Sequence, residues 1–148
     1  MKPIFQIKRF NELSLQELYY VLQLRSEVFV VEQNCVYQDL DGKDEKALHL
    51  LGTFEDKVVA YCRLFGAGIY FENTSIGRVV IAQEYRDKKW GHDLLTEAIE
   101  GIKSAFGTSA ITISAQLYLK NFYKTHGFVQ EGDEYLEDGI PHIRMNRQ

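Results

Sequence analysis

The sequence has few of the residues that mark secreted, modular or metal-binding proteins. Its two cysteines, Cys35 and Cys62, form neither a CxxC pair nor a zinc-type spacing, so we expect free thiols in a reducing compartment and no bound metal. Its two prolines, Pro3 and Pro141, lie near the ends, and no repeat and no Pro-, Gly- or Ser-rich linker interrupts the chain. We therefore expect one domain over residues 1–148.

Long apolar runs and a surplus of positive charge are also missing. No segment has the length of a transmembrane helix, and residues 1–18 lack an uninterrupted apolar core of the signal-peptide kind, so we expect a cytoplasmic protein. There are 17 Lys and Arg against 21 Asp and Glu, a formal net charge of -4. This balance argues against a nucleic-acid or membrane partner. The expected partner is a small molecule, and a homodimer stays open.

Hydrophobic periodicity predicts the element order β-α-β-β-β-α-β-α-β-β, an α/β fold with one mixed sheet and flanking helices. Ser14 and Glu17 form a capping box that should start the first helix. Gly107 and Gly127 are placed to end the second and third helices. The predicted strands cover 3–10, 48–54, 58–65, 74–82, 111–115, 128–131 and 135–145, with an acidic turn between the last two; the predicted helices run from 15 to about 31, from about 90 to 106 and over 117–126.

Three cations, Arg86, Lys88 and Lys89, stand just before the second predicted helix. The first N–H groups of a helix have no intrahelical partner, and the helix dipole makes that end positive, so a helix start surrounded by cations can bind an anion. Neither G-x-x-x-x-G-K-[ST] nor an early G-x-G-x-x-G is present. On pattern alone, a phosphate site and a solvated basic loop followed by Gly91 are equally good interpretations.

Two motifs resemble signatures of the GNAT superfamily of N-acetyltransferases. The residues Arg86 to Gly91, RDKKWG, resemble its pyrophosphate-binding signature Q/R-x-x-G-x-G/A, with Lys89 in place of the first Gly. As a helical residue Lys89 would still offer its backbone N–H, and its side chain could reach a phosphate. The segment 115–128, AQLYLKNFYKTHGF, resembles the later signature N-x-x-A-x-x-x-Y-x-x-x-G-F, with Tyr123 in register and Gln116 where the Asn commonly stands.

The segments 24–52 and 134–145 resemble the ElaA-like branch of this superfamily, so the resemblance covers most of the chain in the expected order. It implies a GNAT fold and acetyl transfer from acetyl-CoA to an amine. CoA would lie where two parallel strands splay apart, the one ending at Ile81 and the one at 111–115. The cofactor-binding residues that the resemblance implies are Val79, Val80, Ile81, Arg86, Asp87, Lys88, Lys89, Trp90, Gly91, His92, Asn121 and Tyr123.

The resemblance also implies catalytic roles for two residues. Tyr123 is the candidate acid, because a phenol with a pKa of about 10 suits protonation of the departing thiolate. The ending GIPHIRM is similar to that of glyphosate N-acetyltransferase, where the matching histidine acts as base, so His142 is the candidate base. His142 equally fits a structural hydrogen-bonding role, and a water relay without a base also stays open. Glu32 and His49 are rival bases, although a structural role is favoured for His49.

Three arginines, Arg25, Arg63 and Arg78, fall where substrate-facing arginines occur in resembling proteins. A buried arginine needs an anion, and this could be a substrate carboxylate or an internal one from Asp39, Asp41, Asp44 or Glu45. The expected acceptor is therefore a primary amine on a small molecule, with or without an acid group. A protein or peptide amine and a non-catalytic CoA-binding module are the alternatives. The predicted substrate-binding residues are Arg25, Glu32, His49, Arg63, Arg78 and Gln116.

Overall fold

The computed structural model describes residues 1–148 as a seven-stranded mixed sheet with three helices. The helices are α1 (Leu15–Arg25), α2 (Trp90–Phe106) and α3 (Lys120–Lys124). The predicted fold class and element order are confirmed, and none of the helices has the length and apolarity needed to span a bilayer. The strands are β1 (Ile4–Arg9), β2 (Leu48–Phe54), β3 (Lys57–Phe65), β4 (Thr74–Ile81), β5 (Ile111–Gln116), β6 (Val129–Glu137) and β7 (Ile140–Arg147), in the spatial order β1-β2-β3-β4-β5-β7-β6.

Helices cover both faces of the sheet, because neighbouring strand residues point to opposite sides. In β2, Leu50 joins the hydrophobic core that packs under α2 and α3, whereas Leu51 joins a second core under α1. In β3, Cys62 and Tyr61 divide in the same way. Both cysteines are buried and free, as expected. The sheet is therefore the partition between two cores, and a ligand site can open only where its strands separate.

The first helix begins as predicted and changes its winding near its end. Ser14 Oγ accepts a hydrogen bond from the Glu17 backbone N–H, and the Glu17 carboxylate accepts one from the Ser14 backbone N–H, which confirms the capping box. After α1 the chain continues as a π-helical segment, Ser26–Glu32. Such wider turns are often found at functional sites. Here the segment carries Val28, Phe29 and Glu32 to the rim of the cavity described below.

The C-terminal hairpin differs from the prediction. The acidic residues near 132–134 do not form the turn, because β6 runs through them with an irregular pairing between Glu131 and Tyr135. The turn is Asp138-Gly139 instead, with both residues at positive φ (52° and 78°), the geometry that an Asp-Gly hairpin favours.

The third helix is also shorter than predicted. A 3₁₀ turn, Leu117–Leu119, precedes α3 (Lys120–Lys124), and the chain leaves the helix before Gly127, which has φ 91°. The predicted range 117–126 was therefore wrong in its extent, because a 3₁₀ turn and a C-terminal turn follow the same amphipathic spacing as a helix. The position of Tyr123 in the helix is as predicted.

The parallel strands β4 and β5 pair only where they begin. Their register pairs are Thr74 with Ile111 and Ser75 with Thr112, and no pairing continues beyond these. On its other side β5 pairs with β7 along its whole length. The ladder between β3 and β4 is irregular between Tyr61 and Arg63, and Arg78, opposite this irregularity, has φ 51°. The predicted splayed strand pair is therefore present.

Candidate active site

The splayed strands open into a cavity of about 750 Å³. One wall is the free edge of β4 with Val79, Val80 and Ile81, and the facing wall is β5 with Ser114 and Gln116. The π-helical segment, the loop that follows it, α3 and the β6–β7 turn close the remaining sides. Because β4 has no strand partner here, its backbone polar groups on this side need a ligand or water, apart from the Ile81 carbonyl oxygen, which accepts a hydrogen bond from Arg86 Nε. The cavity thus offers an extended ligand a strand-like edge.

Tyr123 projects into this cavity from α3. Only 5% of its surface is exposed, and its ring makes edge-to-face contacts with Phe122 and Phe128. Its hydroxyl lines the cavity and has no hydrogen-bond partner within the protein. Burial raises the pKa of Tyr123, so the phenol is protonated at neutral pH. A buried, unbonded hydroxyl on the cavity wall can donate a proton to a bound group.

His142 reaches the same cavity from β7. It is 6% exposed, and its Nδ1 lies 2.7 Å from the carbonyl oxygen of Ile140. A carbonyl only accepts, so Nδ1 carries the proton and Nε2 of the neutral ring has a free lone pair. The tautomer is therefore the one that allows Nε2 to accept a proton from a ligand.

Glu137 is a cavity residue that the sequence analysis missed. Its Oε2 lies 3.4 Å from His142 Nε2, and its Oε1 accepts a hydrogen bond of 3.0 Å from Ser114. The Ser114 Oγ lies 2.5 Å from the Tyr135 hydroxyl, whose ring stacks on His142. The spacing of Glu137 and His142 by five residues gave no helical or strand signal. Only the hairpin turn at Asp138 brings the two side chains to one side.

The start of α2 has a different backbone from the one expected. Lys89 is not helical: it adopts the left-handed conformation (φ 62°, ψ 23°) as the N-cap of α2, with no side-chain cap. This is a conformation that glycine adopts without strain, which explains why the signature has a Gly there. The first N–H groups of α2 follow this residue directly. Lys88 and Lys89 are exposed and make no ion pair, so their charges surround a free helix start.

The charge of Arg86 is already neutralised. Its guanidinium forms a bidentate ion pair with Glu32 across the cavity mouth, and its Nε donates to the Ile81 carbonyl oxygen at 3.1 Å. The side-chain hydrogen bond from Arg86 lowers the pKa of Glu32. Arg86 and Glu32 both line the cavity. Neither is a free charge.

Six of the predicted cofactor residues do not line the cavity itself, namely Asp87, Lys88, Lys89, Trp90, His92 and Asn121. The Trp90 side chain is buried against Phe54 and Tyr85, so only its backbone could meet a ligand. His92 is exposed, and its Nδ1 lies 2.8 Å from His126 Nε2. Asp87 and Asn121 are exposed outside the cavity lining, whereas Gly91 lines it.

The three arginines are paired with the acidic loop, 34–47. Arg25 bonds to Asp39 (2.9 Å) and Asp44 (2.8 Å) and is fully buried. Arg63 bonds to Asp41 and Asp44, each at 2.9 Å from Nη1. The bonds to Arg63 hold the pKa of Asp41 below its usual range, even though burial alone would raise it.

Arg78 completes this cluster and is the only one of the three arginines on the cavity wall. Its Nη2 donates to the Asp39 carbonyl oxygen at 2.9 Å, and its Nε lies 2.7 Å from Asp39 Oδ1 but off the hydrogen-bond direction. The internal-carboxylate interpretation therefore holds for all three arginines. Arg25 and Arg63, predicted as substrate-binding residues, are structural ion-pair residues here.

His49 is also structural. Its Nε2 bonds to the Asp44 carbonyl oxygen (2.8 Å) and its Nδ1 to the Tyr61 hydroxyl (2.7 Å), so both nitrogens are engaged. Burial, the largest influence, lowers the pKa of His49. It does not line the cavity, and the structure does not support a substrate-binding or base role. Gln116 does line the cavity, where its amide faces that of Gln33 at 3.3 Å.

Known proteins are similar to this chain in both sequence and architecture. The sequence-family model described as acetyltransferase (GNAT) domain matches residues 11–148 of this chain. Over 140 residues the chain is 42% identical to protein ElaA of Escherichia coli K12, which covers 93% of this chain and 92% of that protein. The crystal structure of E. coli ElaA superposes with a TM-score of 0.91 at 40% identity, covering 98% of this chain and 99% of the other.

Two further structures give the same fold. An acyl-CoA N-acyltransferase from Pseudomonas aeruginosa superposes with a TM-score of 0.91 at 39% identity, over 98% of this chain and 99% of the other. The PaiA N-acetyltransferase of Thermoplasma acidophilum in complex with coenzyme A has a TM-score of 0.70 at 17% identity, over 98% of this chain and 99% of the other. At that identity the likeness is one of fold.

Proposed function

The chain belongs to the family of acetyltransferase (GNAT) domains, and from this premise we propose that it transfers an acetyl group from acetyl-CoA to a primary amine of a small molecule. One observation carries the proposal: the buried Tyr123, whose hydroxyl has no hydrogen-bond partner, and His142, whose Nδ1 donates to the Ile140 carbonyl oxygen, line one cavity at the open edge of β4. An acid and a base facing one cavity are what transfer from a thioester to an amine requires.

The residues present suit acetyl-CoA as the acyl donor. The free edge of β4 at Val79, Val80 and Ile81 offers backbone hydrogen bonds to the amides of a pantetheine arm. The N–H groups at the start of α2, with Lys88 and Lys89, suit the diphosphate. The PaiA protein, which shares this fold, binds coenzyme A. When bound, acetyl-CoA supplies an activated thioester.

The chain's own residues then have distinct roles. His142 Nε2 accepts a proton from the incoming ammonium, which frees the amine lone pair for attack. A backbone N–H on the open edge of β4, within Val79–Ile81, stabilises the negative charge that develops on the carbonyl oxygen. Tyr123 donates its proton to the thiolate as it leaves. Burial raises the pKa of Tyr123, so the phenol is protonated when the thiolate forms but is a weaker acid than a free phenol.

The test is turnover of acetyl-CoA by the wild-type protein over a panel of primary amines, followed by the release of free thiol. We expect thiol release that depends on the amine and an acetylated product of matching mass. A protein that binds CoA yet releases no thiol with any amine or basic peptide would instead be a non-catalytic CoA-binding module. Thiol release only with peptides would move the acceptor to the protein class.

A further inference from the structure

The side chains around His142 include hydrogen-bond acceptors that have no donor within the protein. The Ser114 hydroxyl donates its single proton to Glu137 Oε1, so the Tyr135 hydroxyl must donate to Ser114 Oγ. Glu137 Oε2 then has no donor within the protein. It lies 3.4 Å from His142 Nε2, and in the neutral ring, where Nδ1 donates its proton to the Ile140 carbonyl oxygen, Nε2 is an acceptor as well. Two acceptors therefore face each other without a hydrogen between them.

A group with several N–H donors and a positive charge fits between two such acceptors. A primary ammonium can donate one N–H to the Glu137 carboxylate and another to His142 Nε2. Tyr123, whose hydroxyl has no hydrogen-bond partner, lines the same cavity and gives a ligand there a further polar group. The His142 side chain is 8% exposed and the Glu137 side chain 42%, so an ammonium held here would contact buried protein on the His142 side and the open part of the cavity on the Glu137 side.

The rest of the cavity has no free positive charge that could bind a substrate carboxylate. Its lining contains three cationic side chains and four carboxylates. Of the cations, Arg78 is held by Asp39 and Arg86 by Glu32, while Lys43 lies over the Tyr70 ring, 5.9 Å from its centroid. The lining carboxylates are Glu32, Asp41, Glu137 and Asp138. The converging arginines thus do not form an acid-binding site, because the acidic loop has taken up their charge.

We infer that the acceptor is a cationic primary amine with no carboxylate beside its ammonium group, held by Glu137 and His142. This inference rests on the proposed acetyltransferase function. The ammonium gives one proton to His142, and its nitrogen forms the new C–N bond to the acetyl carbon while the C–S bond breaks. A second proton leaves the nitrogen for solvent as Tyr123 protonates the thiolate and is itself reprotonated, so amide, free thiol and one net proton are the products. The imidazolium that forms donates to Glu137 Oε2, which stabilises it.

The test compares matched amines that differ only in the carboxylate. Suitable sets are tyramine with tyrosine and tyrosine methyl ester, and histamine with histidine and its methyl ester. We expect kcat/KM to be at least about tenfold higher for the decarboxylated amine and the ester than for the amino acid, since a second carboxylate beside Glu137 is repelled. Equal or better turnover of the amino acids would overturn the inference and leave the acetyltransferase function standing. If no amine of any kind is acetylated, the proposed function fails and the inference fails with it.

A substitution isolates the carboxylate. Glu137→Gln keeps the side chain's shape and its bond from Ser114 but removes the charge, so the preference for carboxylate-free amines should fall to about threefold or less, mainly through a higher KM. Glu134→Gln, an exposed position on the same strand, is the matched control and should keep the wild-type preference. An unchanged preference in Glu137→Gln would overturn the role of Glu137. If Glu137→Gln fails to fold, the matched amines on the wild-type protein still decide.

Discussion

The two halves of the cavity are built by different means. The half that suits the acyl donor is made of backbone, namely the open edge of β4 and the start of α2. The half that would hold the acceptor is made of side chains that meet from distant parts of the chain, such as Glu137 with Ser114 and Arg78 with Asp39. A backbone-built half tolerates many side chains, whereas a side-chain-built half depends on each residue. The two halves should therefore respond differently to substitution.

The largest effect should come where the halves meet, at Tyr123. Tyr123→Phe removes only the hydroxyl, so turnover should fall by about 10²–10⁴-fold if the phenol is the acid. CoA affinity should stay unchanged, because the backbone-built half is untouched. Steady-state thiol release together with calorimetric CoA binding measures both quantities. Tyr19→Phe, at an exposed position outside the cavity, is the control. Turnover in Tyr123→Phe equal to that of the control would remove the acid assignment.

A smaller effect is expected when the buried arginine cluster that supports the side-chain-built half loses Arg25. Arg25→Ala leaves Asp39 paired only with Arg78 and Asp44 paired only with Arg63. The loss of unfolding free energy should therefore lie at the lower end of the about 3–5 kcal/mol that breaking a buried ion pair costs. Urea denaturation measures this loss. Arg9→Ala, which breaks the exposed pair with Glu12, should cost about 1 kcal/mol or less. Similar losses for the two variants would contradict a structural role for the arginine cluster.

The smallest effect tests the backbone-built half at Lys89. Lys89→Gly relieves a left-handed conformation that costs a non-glycine residue about 1–2 kcal/mol, so the protein should gain about 1 kcal/mol of unfolding free energy. The lost charge should weaken CoA binding only about two- to fivefold, the scale of one exposed ion pair.

Lys88→Gly is the control for this change. It removes the same charge from a residue in the 3₁₀ turn before α2, where no left-handed strain is relieved, so it should not stabilise the protein. Thermal unfolding and CoA titration of both variants measure the comparison. A Lys89→Gly protein that is less stable than Lys88→Gly would mean that the conformation of Lys89 stores no strain.

The same contrast explains what the sequence could predict. The splayed strands, the capping box at Ser14 and the placement of Tyr123 follow from local periodicity and from signatures that span a few residues. Glu137 could not be found in this way, because its role depends on a turn at Asp138-Gly139 and on Ser114 in another strand. The arginines were recognised as needing anions, but the choice between a substrate and Asp39, Asp41 and Asp44 depends on how a loop without periodicity folds back.

The left-handed Lys89 shows a limit of another kind. A signature names the residue type that usually fits, and on the sequence alone Lys in place of Gly predicts only a different side chain in a helix. In the structure, Lys89 adopts the left-handed conformation that suits the Gly of the signature, and its side chain makes this conformation strained. When a residue deviates from a motif, its backbone conformation should therefore be examined before its side-chain chemistry.

The ion pair between Glu32 and Arg86 has a kinetic consequence. It connects the π-helical segment to the loop before α2, and 40% of the Arg86 side chain and 31% of the Glu32 side chain are exposed. A pair so exposed contributes about 0–1 kcal/mol, which is comparable to thermal energy. We therefore expect the two sides of the mouth to part and rejoin on the timescale of loop motions, about nanoseconds to microseconds. Ligand exchange through this mouth is set by the contacts inside the cavity, and the rim adds no slow gating step.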